Sequence, residues 1–64
     1  MPNNIKQTQD SLLTIQEVAT ALRVSEKTIR RWISTEVMPA AKLGAQWRVR
    51  SRDLQDFIRD RLVR

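Results

Sequence analysis

A chain of 64 residues has room for one small domain, and at that size folding buries only about 60% of the unfolded surface. Cysteine and histidine are both absent, which excludes disulfides, thiolate zinc sites and mechanisms built on a histidine base or ligand; neither a cofactor nor enzymatic chemistry is expected. Twelve Lys and Arg against seven Asp and Glu leave a net charge of +5 and a sequence pI near 11.2, an excess suited to a polyanionic partner.

In chain order, residues 1–11 are polar, lack periodicity and include Pro2, Asn3 and Asn4; they read as a disordered leader, with the domain over residues 12–64. No apolar run approaches the roughly 20 residues of a membrane span. The start MPNNIKQTQD has no apolar signal-peptide core, so the expected location is cytoplasmic, with no membrane contact. Thr14-Ile15-Gln16-Glu17 matches a capping box, and Ile15, Val18, Ala19 and Leu22 follow at helical spacing, which predicts a first helix from about Ile15 to Leu22. After a link over residues 23–25, Ser25 is a second N-cap for the run EKTIRRWIS. At about 100° per residue, Ile29, Trp32 and Ile33 share one arc, while Lys27, Arg30, Arg31 and Ser34 cluster opposite.

Pro39 ends helical pairing, and Ala41-Lys42-Leu43, Gly44-Ala45 and Gln46-Trp47-Arg48-Val49 read as a hairpin turned at the chain's single glycine. Alternation puts Trp47 and Val49 on one side and Gln46, Arg48 and Arg50 on the other. Ser51 is the predicted cap of a third helix, with Asp53 near its N-terminus and Leu54, Phe57, Ile58 and Leu62 as its buried stripe. Arg50 and Arg52 are expected to face solvent or to pair within the chain with Asp53 and Asp56, and Arg59, Arg61 and Arg64 to form a solvated tail. The spacing of Asp53, Asp56 and Asp60 reads as a charged outer face rather than a metal site.

The expected fold is mainly α with a small β-hairpin wing: helix, turn, basic helix, two-stranded wing, helix, the winged helix-turn-helix arrangement. Charge follows it. Residues 1–22 hold one base and two acids, whereas residues 23–64 hold eleven bases and five acids. A helix about 10–12 Å across fits the major groove, and the face that would enter it carries Lys27, Thr28, Arg30, Arg31 and Ser34. Arg and Lys can take guanine O6 and N7 or hold phosphate, and Thr can offer a methyl or a hydroxyl. The same cations would also suit a plain solvated face. Trp32 and Trp47 could stack on bases, but both lie among apolar neighbours and are expected in the core.

The string Ser-x-x-Thr-Ile-Arg-Arg-Trp at Ser25 to Trp32, the Pro39-Ala40 pair and Lys-x-Gly-x-Gln-Trp-Arg at Lys42 to Arg48 resemble the excisionase/MerR-like family of single winged helix-turn-helix domains over about Leu13 to Ile58. The resemblance implies a second helix, Ser25 to Ser34, in the major groove and a wing, with Lys42, Gln46 and Arg48, on the backbone or minor groove. It implies double-stranded DNA as partner. Two positions depart from the family pattern: Glu36 stands where glycine is common, and Ala45 where the wing tip commonly has arginine. A left-handed Glu36 would cost roughly 1 kcal/mol.

Within that resemblance the leading role is an excisionase, a recombination directionality factor of a phage, plasmid or integrative element that bends attachment-site DNA beside an integrase. The alternatives are a small transcriptional regulator at promoters, a packaging or partition module, and a protein-interaction adaptor using the last helix. One recognition helix gives little specificity alone, so a monomer in solution that assembles cooperatively on DNA is expected.

Overall fold

Local hydrogen bonding fixes where the first helix begins. Thr14 Oγ1 accepts the Glu17 N–H at 3.0 Å while the Glu17 carboxylate accepts the Thr14 N–H at 2.9 Å, which is the reciprocal cap that the sequence predicts. The computed structural model describes residues 11–62, and from this cap α1 runs over Ile15–Leu22. The helix closes on Arg23, which is left-handed at φ 59°. The Arg23 N–H reaches the Thr20 carbonyl at 3.2 Å and the Val24 N–H reaches Ala19 at 3.0 Å, the paired bonds of a Schellman closure.

Helix α2 spans Glu26–Ser34, capped by the Ser25 hydroxyl, which accepts the Thr28 N–H at 3.1 Å. It closes as α1 does. The Glu36 N–H donates to Ile33 at 3.0 Å and the Val37 N–H to Trp32 at 2.8 Å, with Glu36 at φ 63°. The departure from glycine at this position therefore falls on a residue that does adopt the left-handed conformation.

The remaining elements are β2 (Ala41–Leu43), β3 (Gln46–Arg50) and α3 (Ser51–Leu62). Between the two strands Gly44 takes φ +65° and Ala45 does not, the pattern of a type II′ turn with glycine first. A further strand, β1 (Leu12–Thr14), has no counterpart in the sequence reading. It pairs antiparallel with β3, Leu12 opposite Arg50 and Thr14 opposite Arg48, so the sheet order is β1-β3-β2 and the longer wing strand is central. The architecture is a winged helix-turn-helix with a three-stranded sheet.

All three helices and β3 supply the core. Val18, Ile29, Met38 and Val49 are fully buried, joined by Ile15, Ala19, Ile33, Leu54 and Phe57, and Trp32 packs on Phe57 with ring centroids 5.1 Å apart. Trp47, Leu13, Leu22, Val24, Ala40 and Ile58 pack around them. Full burial of a side chain such as Ile29 contributes about 1.5–3 kcal/mol.

Three expectations need correction. Leu62 is 72% exposed, because the buried stripe of α3 runs out one turn earlier. Ser51 does not precede α3 but opens it, its N–H donating to the Ser11 carbonyl at 2.8 Å. Arg59 and Arg61 lie in α3 rather than in a tail: Arg59 pairs with Asp56, and the Arg61 guanidinium sits 3.7 Å from the Phe57 ring centroid. Asp56 thus has Arg59 as a partner, while Arg50 forks onto Asp53 at 2.8 and 3.1 Å, as expected. Arg64 and residues 1–10 of the expected leader lie outside the described residues. Among the described residues, no helix is long and apolar enough to cross a membrane.

Candidate nucleic-acid interface

Helix α2 is fastened to the core through Ile29, Ile33 and Trp32, which fixes its rotation and turns the other arc outward. Lys27, Arg31 and Ser34 form the exposed ridge of that arc, Arg30 flanks it on the side of the wing, and Thr28 flanks it on the other side, half-buried. No side-chain partner holds Lys27 or Arg31 among the described residues, and both are exposed. Arg30 differs. Its guanidinium lies 3.6 Å from the Glu26 carboxylate, an i,i+4 pair with side chains 61% and 45% exposed. Exposed helix pairs of this kind contribute about 0.2–0.5 kcal/mol, little enough for a stronger anion to displace.

The hydroxyls divide by what they have left to give. Ser25 Oγ accepts from the Thr28 backbone and donates to Thr28 Oγ1 at 3.0 Å, so its donor is spent on the cap. Ser34 Oγ donates to the Arg31 carbonyl at 3.0 Å and keeps only acceptor capacity. Thr28 Oγ1 accepts from Ser25, which leaves its own O–H as a donor.

Cross-strand register separates the three predicted wing residues. Lys42 stands opposite Trp47, on the face that also carries Leu13 and Val49, and its ammonium lies 5.8 Å from the Trp47 ring centroid. Gln46 and Arg48 project from the other face, Gln46 exposed and Arg48 half-buried with its guanidinium donating to the Trp47 carbonyl at 3.1 Å. Helix and wing nevertheless meet. An open cleft of about 260 Å³ is lined by Glu26 and Arg30 from α2, by Gln46, Trp47 and Arg48 from the wing, and by Gln16 at the start of α1. A second hollow joins Arg30 and Ser34 to Trp47.

The fold therefore brings Arg30, Gln46 and Arg48 around one cleft, sets Ser34 beside Arg30 at a second hollow, and leaves Lys27 and Arg31 on the outward ridge. Glu26 was missing from the residues singled out in the sequence, although its spacing of four from Arg30 was the available signal.

No solved structure shows a significant match to the chain. Two relatives come from Mycobacterium tuberculosis, "Putative DNA-binding protein MT0521" of strain CDC 1551 / Oshkosh and "Putative DNA-binding protein Rv0500A" of strain H37Rv. Each is 34% identical over 53 residues, covering 83% of this chain and 68% of the relative. A family described as the helix-turn-helix domain matches residues 12–62, nearly all that the structure describes. With that match added to the capped helix pair and its wing, the chain belongs to the helix-turn-helix domain family.

Proposed function

We propose that the chain binds double-stranded DNA sequence-specifically, with α2 in the major groove and the wing against the flanking backbone, and that it does no chemistry itself. The observation that carries this reading is the outward ridge of α2, where Lys27 and Arg31 stand exposed, without side-chain partners among the described residues, beside a wing that holds Lys42 and Arg48. Unpaired cations on a helix narrow enough for the groove are what phosphate neutralisation requires. The names of the mycobacterial relatives agree with it.

Within DNA binding, the role we propose is that of an excisionase, which would bend attachment-site DNA beside an integrase, several copies lying side by side because one recognition helix gives little discrimination. Its test is selection of bound fragments from a host genome and its mobile elements at near-physiological salt. Tandem sites beside an integrase attachment core are the expected result. Enrichment at promoters would replace this role with that of a small transcriptional regulator, and absence of enrichment would overturn sequence-specific binding by the chain alone.

A further inference from the structure

We infer that Glu26 is a specificity-determining residue of this surface: it accepts a hydrogen bond from the exocyclic amine of a cytosine and aims Arg30 at the guanine of the same or the adjoining base pair. The inference rests on the DNA-binding reading above.

Glu26 stands in the first turn of α2, exposed, at the cleft where Arg30 meets Gln46 and Arg48 of the wing. A carboxylate there only accepts hydrogen bonds. Phosphate oxygens, purine N7, guanine O6 and thymine O4 are acceptors too, so each of them is repelled; the donors a major groove offers are the amines of cytosine and adenine. Glu26 thus weakens contact with DNA in general while favouring one kind of base edge, which is how a repulsive element creates specificity.

The Arg30 pairing chooses between the two amines. Arg30 lies 3.6 Å from Glu26, whereas Lys27 and Arg31 have no such tether among the described residues. A guanidinium fork can hold the Glu26 carboxylate along one edge and present its remaining N–H groups to guanine O6 and N7. A G·C pair displays those acceptors next to the cytosine N4 amine. The two side chains together therefore match G·C, with cytosine facing Glu26, in preference to A·T.

The test offers duplexes with a randomised core to the wild-type chain, E26Q and R30A, and reads the bound sequences and the affinity for the whole pool. Wild type is expected to select G·C at one position. E26Q should hold the pool as tightly as wild type or a few-fold tighter, and lose that preference by about tenfold or more, the scale of one base-edge contact. R30A should lose preference at the same or the neighbouring pair. E26Q returning the wild-type ranking, or weakening all sequences by one common factor, overturns the role of Glu26 while DNA binding stands. Wild type that retains no duplex in a salt-dependent manner overturns the DNA-binding reading, and this inference with it. Thermal melts of E26Q and of R30A verify that the variants compared are folded.

Discussion

Arg23 and Glu36 hold a backbone conformation that side chains with a Cβ disfavour, and both are solvent-exposed. Nothing in their side chains offsets that strain among the bonds described, so Arg23→Gly and Glu36→Gly should each stabilise the fold by about 0.5–1 kcal/mol. Thermal melting measures it, and a lower Tm in either variant would show that the side chain contributes more than its backbone strain costs. Gly44 gives the reverse case. A Cβ added there meets nothing within 4 Å, so Gly44→Ala isolates the conformational penalty of φ +65°, a loss of about 1 kcal/mol readable in denaturant titration.

Among the elements, those with signals confined to three or four residues were legible in the sequence. The Thr14 and Ser25 caps and the outward arc of α2 all depend on local spacing, and all three formed. Strand β1 did not have that advantage: three residues are too few to show alternation, and the strand exists only because β3 lies across from it. Met38 follows a Schellman turn, where no period predicts burial. Lys42 could be assigned to the face of Trp47 only once the two-residue turn had fixed the hairpin register. The core of α3 was readable, and Phe57, buried within it, contacts both Trp32 and the Arg61 guanidinium. Phe57→Ala should cost about 3–5 kcal/mol, most of the stability of so small a domain, and circular dichroism near room temperature would then show substantial unfolding.

At the scale of the whole molecule, the charge asymmetry sets how binding responds to salt. With about four phosphates neutralised, affinity for duplex DNA should fall roughly a hundredfold between about 50 and 200 mM salt. Lys27→Ala and Arg31→Ala should each reduce the logarithmic salt slope by about 1 if the residue meets phosphate. A flat response in the wild type would remove α2 from the groove. Strand β1 also has a consequence in time. The caps and closures of α1 and α2 are complete within residues 14–37, so during synthesis the helix pair can form early, yet Leu12–Thr14 has no strand to join until Gln46–Arg50 has emerged. The contact that clamps the wing to β1 is the more distant in sequence of the two strand pairings described, and such contacts form slowly. Stopped-flow refolding should therefore find helical signal preceding the burial of Trp47, leaving a short interval in which α2 exists without the docked wing.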